Sequence, residues 1–193
     1  MIRRVVSWFQ KERENKKFRI FISVAVLLIA VLCTEFCMFE YSIFKSLRYV
    51  VLLAALFIIS WIDWKSKRIP NEILKGLLVI RLVILAMEWW AFSEFGMSLF
   101  LSAVGGMLLG GGMFMLCYLI SRGGIGVGDV KLFAVIGCFV GSGTILTLTF
   151  LSVVVSAAYS IIMLVLKKTG LKEEIPFAPF VLVGTVLTMA LGM

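Results

Sequence analysis

Long apolar runs separated by short charged stretches decide what this chain can fold into. A helix needs about 20 apolar residues to cross a bilayer. Seven segments reach or approach that length, at about 19–38, 48–63, 72–92, 98–121, 130–141, 144–166 and 176–193. A backbone inside a membrane must satisfy its own hydrogen bonds, so such runs fold as helices. The expected fold is therefore all-α, a polytopic transmembrane helical bundle of about seven membrane segments. Residues 1–18 form a basic tail, and 19–193 one integral membrane domain. Charged residues are only 16% of the chain, against about 25% in soluble domains. The fifth run is the short one. About 12 residues at a rise of 1.5 Å cover about 18 Å, less than the roughly 30 Å of a bilayer core. It reads as a half-helix shielded by its neighbours, turned back at Gly141-Ser142-Gly143.

Charge placement sets an expected orientation. Arg3, Arg4, Lys11, Arg13, Lys16, Lys17 and Arg19 precede the first run. Lys65, Lys67 and Arg68 follow the second, Arg122 and Lys131 flank the fourth, and Lys167, Lys168 and Lys172 follow the sixth. The other side carries Lys45 and Arg48 with Glu35, Glu40, Glu88 and Glu94. Basic loops stay in the cytoplasm, so the N-terminus is expected inside. The net charge of +8 is accounted for in this way, and no nucleic-acid partner is implied. The first run follows a long basic region and lacks an A-x-A site, so it reads as an uncleaved helix. Trp89, Trp90 and Phe92 fall at the expected outer interface.

The chain has no histidine. That excludes histidine bases, histidine-activated nucleophiles and histidine metal ligands together. Its cysteines, Cys33, Cys37, Cys117 and Cys138, form no C-x-x-C pair, so no cysteine zinc site and no metal are expected. Cys33 and Cys37 stand at i, i+4 and read as two thiols, with a disulfide as the alternative. Arg81, mid-run in the third segment, reads as paired inside the bundle or snorkelling, with a role at the site as the alternative. Gly106-x-x-x-Gly110 signals close helix contact.

The chemistry falls on two residues. Asp63 closes the second run and Asp129 follows Gly123-Gly124-Ile125-Gly126-Val127-Gly128; they are the only aspartates in the chain. The segment count puts both on one membrane face. Two close carboxylates share a proton. The ionised one can act as base on a water while the protonated one donates to a carbonyl oxygen, with no metal or covalent intermediate. Gly126 and Gly128 leave room for a peptide and allow unusual backbone angles. Pro70 restrains Ile69 to an extended conformation, and Asn71 reads as the cap of the third helix. Pro176 and Pro179 would pin a third loop near these two. Taken singly, Asp63 could be a loop charge, and Asp129 a helix cap or part of a phosphate loop.

The combination resembles a known family. Asp63 with Ile69-Pro70-Asn71, then Gly126-Val127-Gly128-Asp129-Val130-Lys131, then Ile175-Pro176-Phe177-Ala178-Pro179-Phe180 are similar to the three signatures of type IV prepilin peptidases, membrane aspartic proteases of the GxGD class. The likeness is strongest over residues 49–190. Presenilin-like GxGD proteases match less well, because Ile62 precedes Asp63 and the late motif is Pro-Phe-Ala-Pro-Phe. The resemblance implies cleavage of the basic leader from prepilins or pseudopilins, whose mature end is an apolar helix, at the cytoplasmic face of the cell membrane. It makes Asp63 and Asp129 the catalytic pair and Gly126 and Gly128 the flexible part of the active-site loop. Lys131, Pro70, Asn71, Pro176 and Pro179 surround them. No cofactor is implied. No methyltransferase activity is expected, since the paired C-x-x-C motifs of many members do not occur. A homo-oligomer is left open. The rival reading is a non-enzymatic transporter or assembly subunit using the aspartates as an ion or proton site.

Overall fold

A computed structural model describes residues 42–121, 124–166 and 175–192. The first expected segment, the basic tail, Cys33 and Cys37 lie outside the described residues, as does the expected position of the N-terminus. Six helices make up the described chain: α1 Ile43–Ser66, α2 Asn71–Ala91, α3 Gly96–Ile120, α4 Val127–Val140, α5 Ser142–Val165 and α6 Ala178–Ala190. No strand occurs among the described residues. The helices match the second to seventh expected segments to within a few residues.

Three of them, α1, α3 and α5, are long and apolar enough to cross a membrane. Their outward faces carry Leu, Val, Phe and Met, as expected of a chain that sits in lipid. Helix α2 is 21 residues long but bears Glu72, Lys75, Arg81 and Glu88, and is not one of the three. Helices α4 and α6 have 14 and 13 residues. At 1.5 Å per residue they span about 20 Å each, too little to cross alone.

The short α4 is held by the closest packing in the fold. A Cβ on Gly106 would collide with the Gly137 carbonyl, and a Cβ on Gly137 with the Gly106 carbonyl. Gly110 meets the Phe133 carbonyl in the same way, and Gly111 lies on Ala134. Glycines one turn apart thus let the α3 backbone rest directly on that of α4. Phe114 of α3 stacks on Phe133 of α4 at 3.8 Å between ring centres, and Phe177, just before α6, lies 5.8 Å from Phe133. Leu132, Phe133 and Ile136 are fully buried between these neighbours.

The turn from α4 to α5 needs a backbone that few residues adopt. Gly141 has φ 85° and ψ 173°, a region open to glycine because it lacks a Cβ. The Ser142 N–H donates to the Ser102 hydroxyl of α3 at 3.3 Å. Midway along α5, Gly184 of α6 lies against the backbone and hydroxyl of Ser152. Ser152, Thr185 and Thr188 return their hydroxyls to carbonyls four residues earlier, which satisfies them without water.

Because the partner of Gly137 is backbone that cannot swing away, Gly137→Ala should destabilise the protein by about 1–3 kcal/mol. It would appear as a lowered thermal midpoint in detergent. Gly112→Ala is the control: a Cβ there meets nothing within 4 Å, and the midpoint should hold or rise.

Candidate active site

The last turn of α1 supplies Asp63, which is 6% exposed. The helix is stopped by Lys67, whose φ of 50° puts a non-glycine residue in the left-handed region, and the Lys67 N–H donates to the Asp63 carbonyl at 2.8 Å. Such a conformation costs about 1–3 kcal/mol and survives only where the surroundings impose it. Here Pro70, extended at φ −72° and ψ 118°, starts α2 three residues later. The link is too short to let Lys67 relax.

Asn71 does not cap that helix, contrary to the sequence reading. It is the first helical residue, Pro70 takes the cap position, and no side chain closes the end. The Asn71 amide oxygen instead accepts from the Lys131 ammonium at 3.2 Å. The proline fixes the helix start one residue earlier than expected, which frees Asn71 to join the first turn of α2 to the first turn of α4.

Asp129 is the third residue of α4. Its own N–H donates to the Gly126 carbonyl at 3.0 Å. A carboxylate in a first helical turn is favoured by the helix dipole. The expected unusual glycine angles are not found. Gly126 is extended at φ −70° and ψ 138°, and Gly128 is helical. What these glycines provide is space: a Cβ on Gly126 would press on Asp129 Oδ2 at 3.2 Å, and one on Gly128 on Ile69 at 3.2 Å. Gly128 thereby lets the link after α1 lie against the start of α4.

Asp63, Asp129, Gly126, Gly128, Lys131 and Asn71 line one cavity of about 340 Å³. Lys67, Arg68, Ile69 and Val127 also line it. Ile69 and Val127 belong to the quoted motifs, and Lys67 and Arg68 lie next to them; the sequence assigned none of the four a role of its own. Pro70, Pro176 and Pro179 stand outside the lining. The two late prolines flank Ala178, whose N–H donates to Asp63 Oδ2 at 3.0 Å in a buried bond. The start of α6 therefore reaches the carboxylate through its backbone. Helix N-termini offer free N–H groups of this kind.

Arg81 is not at this site. It is fully buried in the bundle and pairs with Glu88 at 2.9 Å. Arg48 and Glu88 read from sequence as outer-surface charges. The structure buries Glu88 and leaves Arg48 at 16% side-chain exposure, with Arg48 Nε 3.1 Å from Glu88 Oε1. Their mutual neutralisation is what allows burial. Cys138 is buried and Cys117 exposed, both as free thiols. Among the described residues no group of three His, Cys, Asp or Glu side chains could hold a metal ion.

The two carboxylates feel each other. Asp129, outside the three spanning helices, has its pKa pushed up to about 6, first by burial and then by the Asp63 charge, with the Gly126 N–H opposing both. Near pH 5 Asp129 therefore holds a proton that a free aspartate would have lost. Two acids that held one proton between them would be able both to accept and to donate a proton.

Comparison with known proteins gives the family. The sequence model of the Type IV leader peptidase family matches residues 50–161, a span that includes both aspartates. A prepilin leader peptidase/N-methyltransferase of Bacillus subtilis (strain 168) is 31% identical over 147 residues, covering 74% of this chain and 55% of that protein. Proteins of the same name from Burkholderia pseudomallei strains 1026b and K96243 are 29% identical over 147 residues, covering 73% of this chain and 45% of theirs. The chain spans about half the length of the curated relatives it matches. No solved structure gives a significant match.

The raised Asp129 pKa makes stability depend on pH. Between the ordinary carboxylate value and about 6, the folded protein binds a proton that the unfolded chain has released. Stability therefore falls as pH rises through that window and levels off above it. Thermal midpoints measured from pH 4 to pH 8 should show this decline, and Asp129→Asn should flatten it.

Proposed function

We propose that this chain, which belongs to the type IV leader peptidase family, is an aspartic endopeptidase that removes the basic leader from prepilins or pseudopilins. The observation that carries the reading is the convergence of Asp63 and Asp129, from the first and second motifs, on one cavity. The names of the relatives support the substrate class. Only the peptidase half of those names is carried over, because it alone rests on residues identified in this chain.

In this reading the pair works with one proton. Asp63 is the ionised member: its carboxylate is oriented by the Ala178 N–H and takes a proton from a water in the cavity. The water oxygen attacks the scissile carbonyl carbon. Asp129, which keeps its proton up to about pH 6, donates that proton to the carbonyl oxygen, giving a neutral gem-diol. Asp129, now ionised, withdraws a diol proton while Asp63 returns its own to the amide nitrogen, and the C–N bond breaks. The released leader carries the new carboxyl group, and the pair again holds one proton. Gly126 keeps the space beside Asp129 Oδ2 free of a side chain, as hydrogen-bond reach to a peptide requires.

The charge pattern supports a cytoplasmic orientation for this site. Lys65, Lys67, Arg68 and Lys131 all stand at the end of the bundle where the aspartates lie, and the positive-inside rule places that end in the cytoplasm. The protein would then be a multi-pass component of the cell membrane. Its substrate would present an apolar helix to the lipid and a basic leader to the cavity.

Co-expression with a prepilin tests the assignment. The wild-type chain should shorten the prepilin on a gel. Asp63→Asn and Asp129→Asn should each reduce cleavage by at least about a thousandfold, the scale on which paired catalytic groups fail together, while still inserting in the membrane. Cleavage at wild-type rates by either mutant would remove the dyad mechanism. The rate constant kcat/KM, which reports the free enzyme, should decline on the alkaline side with an apparent pKa near 6.

A further inference from the structure

Helix α4 stops inside the bundle, and its last carbonyls need partners. In a helix the final four C=O groups have none of their own, and away from water each unpaired one is costly. The Gly137 carbonyl accepts from the Gly141 N–H at 2.8 Å. The Cys138 carbonyl accepts from Arg81 Nε of α2 at 2.8 Å. The Phe139 carbonyl accepts from Arg48 Nη1 of α1 at 3.3 Å. Two guanidinium groups thus close the negative end of the helix dipole, where cations are favoured. Glu88 bridges the two, with one oxygen 3.1 Å from Arg48 Nε and the other 2.9 Å from Arg81 Nη1.

The elements that close this end of α4 are the ones that meet its other end. Helix α1 carries Arg48 near its start and Asp63 in its last turn, about 22 Å apart at helical rise. Helix α2 carries Arg81 and, at its first residue, Asn71, which holds Lys131. So α1 and α2 each meet α4 twice, once at the carboxylate cavity and once at its far end. Along α4 itself, Asp129 and Cys138 are about 14 Å apart. Sliding α4 along its axis would break both guanidinium bonds and move Asp129 relative to Asp63 by the same amount.

We propose that Arg48, Arg81 and Glu88 form an anchor that fixes the axial height of α4 and so sets the separation of the two aspartates. They are positioning residues: none lines the cavity, and they act through the rigid helix. Arginine is suited to the place, because Arg81 uses two different nitrogens, Nε for the carbonyl and Nη1 for Glu88. A lysine has the charge but a single ammonium, which cannot hold both partners in this geometry. The consequence for cleavage rests on the peptidase reading above; the consequence for geometry does not.

The test uses the full-length protein in detergent with two variants, Arg81→Lys and the neutral pair Arg81→Met/Glu88→Gln. Spin labels at Ser66→Cys and Val127→Cys, with the four native cysteines replaced by alanine, report the distance between the end of α1 and the start of α4. Prepilin cleavage is measured alongside, without labels. Arg81→Lys should remain folded, and its label distance should shift or broaden by about 2 Å or more. Its kcat should fall about ten- to a hundredfold with KM within about threefold, since a misplacement of about 1 Å can cost a hundredfold. The neutral pair should show the same shift at least as strongly wherever it folds. A folded Arg81→Lys protein with the wild-type distance and the wild-type kcat would overturn the proposal, whatever the neutral pair does. If the wild-type chain cleaves no prepilin, the peptidase reading fails, and the label distance alone still decides the anchor.

Discussion

A helix that ends inside an apolar bundle must find partners for its terminal backbone groups within the protein, and α4 is such a helix. Its 14 residues cannot reach across a membrane, so everything around it is arranged to make a half-length element tolerable. Glycines on α3 and α4 bring the two backbones into contact. Gly141 supplies the one turn conformation that lets the chain reverse. Ser102 takes an N–H of the next helix, and two arginines take carbonyls of α4. The benefit of a short helix is that its first turn lies at the cavity instead of beyond it.

That first turn is where the lining of the candidate site gathers. Asp129 is offered by α4, Asp63 by the end of α1, and the Ala178 N–H by the start of α6. None of the three belongs to a loop free to wander. Asp63 lies just before a strained left-handed Lys67, Asp129 is tied by its own turn to Gly126, and Ala178 is fully buried between two prolines. Pre-organised donors and acceptors of this sort lose little on binding a substrate and gain most in the transition state.

Much of this was legible from residue order. The apolar runs located all six described helices, and the shortness of the fifth run pointed to α4. Counting segments led to the expectation that Asp63 and Asp129 share one face, and both line one cavity. Gly106-x-x-x-Gly110 announced a close contact, though not that α4 would be the partner. The sequence failed where a residue acts through tertiary backbone contacts. Arg48 and Glu88 looked like surface charges because they pair across two helices, α1 and α2. Asn71 looked like a cap, but Pro70 starts the helix one residue earlier, and the Asn71 bond to Lys131, sixty residues later, leaves no local trace. The part of Ala178 is invisible in its side chain, because only its N–H is used.

The claim at the centre is that Asp63 and Asp129 share one electrostatic environment. Infrared difference spectroscopy of the carboxylic acid C=O stretch in the purified protein measures this directly, because it follows protonated side-chain acids as pH is changed. The wild-type protein should lose an aspartic acid band with a midpoint near pH 6, and Asp129→Asn should remove it. In Asp63→Asn the Asp129 band should remain but titrate at lower pH, since the neighbouring negative charge is gone while the burial stays. An Asp129 midpoint unchanged by Asp63→Asn would mean that the two carboxylates do not interact, and would contradict the account.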